Sequence, residues 1–145
     1  MNKMLIGRKD TADFPDFGLK CIQVKIDSGA YSCSIDCRKV ELVEKDGIQQ
    51  LEVVFLNVDS ANYTGRKYYF DDFKSKKVKS SSGHSQIRYF IKGKIVLFGN
   101  TYKTYFSLSK RAGMKTPVLI GRKLLNNNFI IDTKKVNLSN NLKSK

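Results

Sequence analysis

The amino-acid sequence predicts a small, mostly β fold, a barrel or a sandwich, built as one domain over residues 1–145. Short runs of apolar and β-branched residues follow one another at close spacing, and no amphipathic helical pattern of any length occurs. Glycine and proline are few, with ten and two copies, so no linker divides the chain. The hydrophobic fraction of 41% is normal for a folded core, so we expect disorder only at the ends.

The first strand with a clear pattern ends at an acidic side chain. Residues 22–26 (IQVKI) alternate apolar and polar side chains, which is typical of a half-buried strand. Asp27 follows directly and precedes Ser28, Gly29 and Ala30. Three small residues in a row allow the backbone and neighbouring side chains to crowd around one carboxylate.

Two later segments predict a second strand and a hairpin. Residues 51–58 (LEVVFLNV) place Val, Phe and Leu in quick succession, as in a strand. Residues 87–98 and 101–108 are two strand-like runs separated by Gly99-Asn100, which predicts a hairpin with a two-residue turn.

The end of the chain predicts the only helix. Residues 117–132 (PVLIGRKLLNNNFIID) contain a short apolar strand, a break at Gly121, one brief helix and a last strand. Residues 134–145 are polar and basic, and we expect this tail to fray.

One pentapeptide occurs twice. The sequence of residues 5–9, LIGRK, recurs at residues 119–123, which predicts two similar strand-to-glycine turns at related places in the fold. Neither copy has the G-x-x-x-x-G-K-[ST] spacing of a phosphate-binding P-loop.

The chain is strongly basic. Lys and Arg number 27 against 13 acidic residues, a formal charge of +14, which would attract nucleic acid, an anionic membrane surface or an acidic peptide. Lysines interleave with aromatic residues in segments 65–77 and 102–106, as in a basic groove with stacking platforms. Simple lysine abundance and ordinary sheet packing are the alternative explanations.

The cysteines favour a reducing compartment. Cys21, Cys33 and Cys37 are an odd number with no disulfide-framework spacing, no apolar run reaches about 18 residues, and residues 1–20 lack a signal-peptide core. We therefore expect a cytoplasmic protein. His84 is the single histidine, and no second close pair joins Cys33 and Cys37 to complete a tetrahedral zinc site, so we expect no metal or other cofactor.

Carboxylate chemistry is the remaining candidate. A cysteine or serine nucleophile would need a base, and His84 lies in a Ser- and Gly-rich stretch typical of an exposed loop. Two aspartates within hydrogen-bonding distance share one proton, so one can activate water while the other protonates a carbonyl oxygen. A chain with one such motif would need a two-fold symmetric dimer to supply Asp27 twice.

Two segments together resemble the signature of retropepsin-type aspartic proteases: Asp27-Ser28-Gly29-Ala30 after an apolar residue, and residues 117–125 late in the chain. More closely, residues 5–133 resemble the bacterial retropepsin-like family labelled ATP-dependent zinc protease, whose members often accompany ATP-grasp peptide ligases. Further residues match that family's pattern: Ile6, Gly7, Arg8, Phe14, Pro15, Gly18, Leu19, Lys25, Ile26, Ser32, Ser34, Ile35, Arg88, Leu108, Arg111, Met114, Ile131 and Asp132.

This resemblance implies a closed all-β barrel of the acid-protease type with one short C-terminal helix. It implies that Asp27 is the catalytic aspartate and that the hydroxyl of Ser28, where threonine is common, braces the two active-site loops. Gly29 and Ala30 would keep the loop tight beside the substrate backbone.

The resemblance also assigns supporting parts. Ile120, Gly121 and Arg122 would pack under the catalytic loop. The segment from Ser80 to Arg88 would be the flap that closes over substrate, and its candidate tip residues are Ser82, Gly83, His84 and Ser85. The zinc and ATP of the family label find no ligands in this sequence.

The predicted function is therefore an aspartic endopeptidase, a homodimer that hydrolyses peptide or isopeptide bonds through an Asp27 pair. Positive charge and the family's association with glutamate-adding ligases point to glutamate-rich substrates. The alternative is a non-catalytic barrel that binds nucleic acid or an acidic protein partner, and a third interpretation is an inactive protease-like scaffold.

Overall fold

The computed structural model describes residues 3–79, 81–110 and 115–143, so the predicted positions Ser80, Arg111 and Met114 lie outside the described residues. Eleven strands dominate the described part of the chain. They are β1 (Met4–Ile6), β2 (Lys9–Phe14), β3 (Leu19–Ile26), β4 (Cys33–Lys45), β5 (Ile48–Phe55), β6 (Tyr68–Phe70), β7 (Lys74–Lys79), β8 (Ser85–Leu97), β9 (Asn100–Ser109), β10 (Val118–Ile120) and β11 (Phe129–Ile131). A 3-10 turn spans Pro15–Phe17, and two short helices, α1 (Arg122–Leu125) and α2 (Leu138–Lys143), lie near the C-terminus.

Six of the strands close into a barrel. Their order is β10-β3-β2-β8-β9-β4, and β10 pairs with β4 to complete the ring. β5 and β6 extend the sheet from β4, β7 pairs with the first half of β8, and β1 pairs with β11 in a separate two-stranded parallel sheet. The closed all-β barrel confirms the predicted fold class.

Aromatic side chains fill the barrel. Phe17 lies 4.5 Å from the ring centroid of Phe55 and 5.5 Å from that of Phe106, and Phe14 packs edge-on against Phe106 at 5.7 Å. The backbone of Gly93 lies against the Phe17 ring, where a Cβ atom would collide with it. The core thus depends on one position of β8 having no side chain.

The alternation predicted for residues 22–26 is confirmed. Ile22, Val24 and Ile26 are buried, and Gln23 and Lys25 are exposed, so β3 presents one face to the core. This register determines that the next residue, Asp27, emerges at the end of the barrel.

The predicted hairpin forms, but its turn lies one residue earlier. Leu97 pairs with Asn100, so the turn residues are Phe98 and Gly99, with φ values of 55° and 72°. A two-residue turn of this kind requires positive φ at both central positions. The Phe98 ring packs beside Phe129 at 6.0 Å, which compensates for the unusual backbone of a bulky residue.

The expected frayed tail differs from the structure. Residues 138–143 form α2, which is the second helix where one was predicted. The buried Asp10 carboxylate accepts hydrogen bonds from the backbone N–H groups of Ser139 (2.9 Å) and Asn140 (3.0 Å). The Ser139 hydroxyl in turn accepts from the Phe98 N–H at 2.8 Å, so a polar tail is docked by hydrogen bonds that local sequence does not reveal.

Candidate active site

Asp27 lies at the end of β3, between the two copies of the repeated pentapeptide. Its N–H donates to the carbonyl oxygen of Ile120 in the second copy at 2.9 Å. The N–H of the preceding residue, Ile26, donates to the carbonyl oxygen of Arg8 in the first copy, also at 2.9 Å. The repeat therefore fixes the backbone of β3 from both sides at the point where the carboxylate leaves the sheet.

The loop after Asp27 is closed by its own backbone. Asp27 Oδ1 accepts a hydrogen bond from the Gly29 N–H at 2.9 Å, and the Asp27 carbonyl oxygen accepts from the Ala30 N–H at 3.2 Å. A Cβ atom on Gly29 would lie 3.2 Å from that same Oδ1, which is tighter than ordinary contact. Small residues thus let the backbone approach and orient one carboxylate, as the sequence pattern predicts.

The carboxylate is half-buried, whereas Ser28 and Gly29 are exposed. Among the described residues, no cation lies within ion-pair distance of Asp27, and its hydrogen bonds come only from the backbone. The described part of the chain also provides no hydrogen bond to the Ser28 hydroxyl, so the predicted brace between two loops stays a prediction.

The segment after β10 supports the loop from below. Its N–H groups donate to the loop carbonyls: Arg122 to Ala30 at 2.8 Å and Lys123 to Tyr31 at 2.9 Å. Arg122 Nη1 also donates to the Ser28 carbonyl oxygen at 2.9 Å. Arg122 and Lys123 therefore hold the loop at three of its carbonyl oxygens, those of Ser28, Ala30 and Tyr31.

Gly121 is needed here for space. A Cβ atom at this position would lie 2.5 Å from the Ser32 carbonyl oxygen, which no rearrangement of a flexible side chain relieves. Its φ of −96° is available to any residue, so close approach, not backbone conformation, selects glycine.

Sequence reasoning missed two residues at this site. Tyr31 is 58% exposed, and the Arg122 guanidinium lies over its ring, 5.8 Å from the centroid. Cys33 is fully buried beneath the loop, and burial raises the pKa of its thiol despite hydrogen bonds with the Gly121 backbone and the Thr104 side chain. Tyr31 could have been identified from its position directly after the Asp27 loop. No sequence pattern indicates that Cys33 contacts Thr104.

The candidate flap lies on a hairpin. β7 and β8 pair from Lys74↔Phe90 to Lys79↔Ser85, and Ser82, Gly83 and His84 form the exposed tip, with φ of 85° at Gly83. None of these residues bonds to Asp27, whereas Ile120, Gly121 and Arg122 all lie at the Asp27 loop.

The described ranges contain no group of three or more His, Cys, Asp or Glu side chains placed to hold a metal ion. Cys33 and Cys37 are buried, Cys21 is exposed, and all three are free thiols. In the same ranges, no helix is both long enough and apolar enough to cross a membrane.

Comparisons with known proteins agree with this geometry. The sequence profile of the RimB-like family, described as "Retropepsin-like aspartic endopeptidase RimB", matches residues 5–141. A crystal structure of a Legionella pneumophila protein of unknown function superimposes with a TM-score of 0.68 at 22% identity, covering 95% of this chain and 99% of that one. That likeness shows a shared fold.

Curated relatives carry a different name. A "Probable alpha-L-glutamate ligase" of Shewanella pealeana is 28% identical over 141 residues, and one of Desulfotalea psychrophila is 29% identical over 132 residues. Each alignment covers 90% of this chain but only 29% and 28% of the relative, so this chain spans less than a third of the curated proteins that it matches.

Proposed function

This chain belongs to the RimB-like family of retropepsin-like aspartic endopeptidases, and on that premise we propose that it hydrolyses peptide or isopeptide bonds with Asp27 as its catalytic residue. The observation that carries the proposal is the setting of the Asp27 carboxylate. It is half-buried at the end of the barrel and is oriented by the backbone N–H of Gly29, and no cation neutralises it among the described residues. Such a group is free to take part in proton transfer.

A single carboxylate cannot act as base and acid at once, so the proposal includes a second copy of the chain. Two Asp27 side chains brought together across a two-fold axis share one proton. The ionised member takes a proton from water as the water oxygen attacks the carbonyl carbon, and the protonated member gives its proton to the carbonyl oxygen. As the tetrahedral intermediate collapses and the C–N bond breaks, the aspartate that took the water proton gives it to the leaving nitrogen, and the other aspartate takes back a proton from a hydroxyl group of the intermediate, which restores the pair with one shared proton.

An exposed apolar pair supports self-association. Leu5 of β1 and Ile130 of β11 are register partners in the small parallel sheet, and they are 45% and 58% exposed. Covering them with a second copy would remove apolar surface from water.

The proposed substrate is rich in glutamate. A formal charge of +14 attracts acidic peptides, and the curated relatives include a segment like this one within proteins named glutamate ligases. The Ser82–Ser85 tip would close over the bound peptide and exclude water. The free thiols of Cys21, Cys33 and Cys37 support a cytoplasmic setting.

The test compares the wild type with Asp27→Asn on glutamyl peptides and on neutral peptides, from acidic to neutral pH. We expect a bell-shaped pH dependence for the wild type and at least about a 100-fold loss in Asp27→Asn. Asp59→Asn, which makes the same charge change at an exposed loop position, should retain activity. Thermal unfolding of each protein checks that the fold is intact.

A mixing experiment tests the shared site. Excess Asp27→Asn protein added to wild type should lower its activity, because mixed dimers contain one ionisable aspartate. Equal activity of wild type and Asp27→Asn would make Asp27 structural and would favour a non-catalytic binding barrel. Equal turnover of neutral and glutamyl peptides would contradict the substrate class while leaving the peptidase intact.

A further inference from the structure

Three lysine side chains converge on one tyrosine. The ammonium groups of Lys74, Lys123 and Lys92 lie 4.6, 5.1 and 6.0 Å from the centroid of the Tyr105 ring. They come from three different elements, β7, α1 and β8, so the fold and not local sequence gathers them. The ring quadrupole attracts each cation, but the three positive charges repel one another.

The barrel sheet adds two more lysines to the same face. In the pairing of β8 with β9, Lys92 lies opposite Tyr105 and Lys94 lies opposite Lys103. Like charges directly opposite each other on a sheet are destabilising. We name Lys74, Lys92, Lys94, Lys103 and Lys123, together with Tyr105, the Tyr105 lysine face.

Within the described ranges, no ion pair joins an acidic side chain to the five lysines of this face. The ion pairs within the described ranges join Lys39 and Lys67 to Glu41 and Glu52 on a different part of the sheet. Two acids lie beside the face: Asp16, whose Oδ2 accepts a hydrogen bond from the Lys94 backbone N–H at 3.0 Å, and Asp13, the register partner of Val96. The face therefore retains a strong positive field.

A groove runs along the face. Its volume is about 450 Å³, and its walls include Lys92, Lys103 and Lys123 together with Tyr102 and Tyr105. The Tyr102 ring packs against Phe129 on the core-facing side of β9, with centroids 5.5 Å apart, so Tyr105 is the aromatic ring that lies on the same side of the strand as the lysines. Clustered cations beside an aromatic ring are features by which proteins hold single-stranded nucleic acid.

We propose that the Tyr105 lysine face binds single-stranded nucleic acid through its phosphates. The ligand carries one negative charge at every nucleotide, so it can neutralise several lysines at once. Lysine acts as a compact point charge that can contact a phosphate oxygen without a fixed bidentate geometry. This binding function is separate from peptide hydrolysis and does not depend on Asp27.

The structure also explains the basic and aromatic segments of the sequence. Lys74 belongs to residues 65–77 and Tyr105 to residues 102–106, and the fold brings the two segments into contact at 4.6 Å. Because ammonium groups already lie against the Tyr105 ring, phosphate contacts dominate over base contacts. Binding should then be nearly independent of base sequence.

The test uses a labelled oligouridine of about 12 nucleotides as the probe, with binding measured by anisotropy across a salt series. Each phosphate neutralised on a single strand contributes about −0.7 to the slope of log Kobs against log salt. The triple variant Lys74→Gln, Lys92→Gln, Lys103→Gln should therefore have a slope that is less steep by about 2. The matched control, Lys20→Gln, Lys45→Gln, Lys134→Gln, removes the same charge at three exposed positions on other elements and should keep the wild-type slope.

Equal weakening in both triple variants would overturn the proposal, because it would show attraction by net charge alone. A polyglutamate peptide that binds the face while oligouridine does not would also overturn it, in favour of an acidic polypeptide. Oligouridine binding retained by Asp27→Asn is expected, so loss of peptidase activity and loss of nucleic-acid binding are measured separately.

Discussion

The N–H of Asp27 donates a hydrogen bond of 2.9 Å to the carbonyl oxygen of Ile120, which joins the end of β3 to the end of β10. The two residues are far apart in sequence, yet this bond and the β3–β10 pairing place the candidate catalytic loop directly over Gly121 and Arg122. The start of the loop is therefore tied to the strand beneath it by backbone hydrogen bonds.

Arg122 should matter for turnover more than for stability. Its Nη1 donates to the Ser28 carbonyl oxygen at 2.9 Å, so Arg122→Ala removes a charged donor that orients the loop. We expect kcat to fall about tenfold, corresponding to about 1.4 kcal/mol. Arg8 occupies the same place in the other pentapeptide and donates to Thr133 instead, so Arg8→Ala should keep kcat within about twofold. Similar losses in both variants would contradict a specific role for Arg122.

Gly121→Ala should disrupt the loop by crowding. The added methyl group would lie 2.5 Å from the Ser32 carbonyl oxygen, and backbone must move to accommodate it. We expect a loss of about 1–3 kcal/mol in the free energy of unfolding, measured with urea, together with loss of peptidase activity. In Gly99→Ala the methyl group meets open space, so this control reports only the strain of a positive φ, about 1 kcal/mol. A Gly121→Ala variant as stable and active as wild type would show that the site relaxes easily.

Asp10 should hold the C-terminal helix in place. Asp10→Ala leaves the N–H groups of Ser139 and Asn140 without their acceptor, and Asp10 itself is only 1% exposed. We expect a loss of about 2 kcal/mol in the free energy of unfolding and faster hydrogen exchange over residues 138–143. Asp10→Asn retains one carbonyl oxygen and should lose less. Unchanged exchange in Asp10→Ala would mean that packing alone docks α2.

Glu52 should make folding stability depend on pH. Hydrogen bonds from Lys39, 2.5 Å away, and from the Tyr69 hydroxyl at 2.7 Å lower the pKa of Glu52. A carboxylate with a depressed folded-state pKa stabilises the protein above its unfolded pKa of about 4.3, and this contribution is lost as pH falls through the lower folded value. The difference in urea midpoint between wild type and Glu52→Gln should thus shrink between neutral pH and about pH 3. In Glu44→Gln, an exposed position on the same ribbon, the difference from wild type should be small throughout.

Much of the barrel could be predicted because its strands have local signals. Local sequence signals mark the alternating residues 22–26, the hairpin of residues 87–108 and the short strand before Gly121. Each of these strands is present in the structure. The second half of β4 has no such signal. It leaves the barrel as a two-stranded ribbon with β5, where Leu42 is 42% exposed, and a ribbon with two solvated faces does not alternate clearly. The turn signal Asp46-Gly47 was present and would have moved the start of β5 from residue 51 to residue 48.

The site was predictable in part for the same reason. Asp27 and Gly29 are two residues apart, so their hydrogen bond follows from local spacing. The support from Arg122, the Cys33–Thr104 contact and the Tyr105 lysine face depend on strand registers across the barrel. Lys74 reaches Tyr105 only because β7 pairs with β8 and β8 with β9. Such contacts come from tertiary structure, which propensity and periodicity do not encode.

β10 lies between β3 and β4, although β3 and β4 are consecutive in the chain. Closing this arrangement requires residues 118–120 to insert between strands that were synthesised about 90 residues earlier, and contacts of such long range form late and slowly. A nascent chain on the ribosome thus has Asp27 exposed but lacks the Ile120 carbonyl that orients its loop. The order of synthesis therefore leaves the loop around Asp27 incomplete until residues 118–120 have emerged.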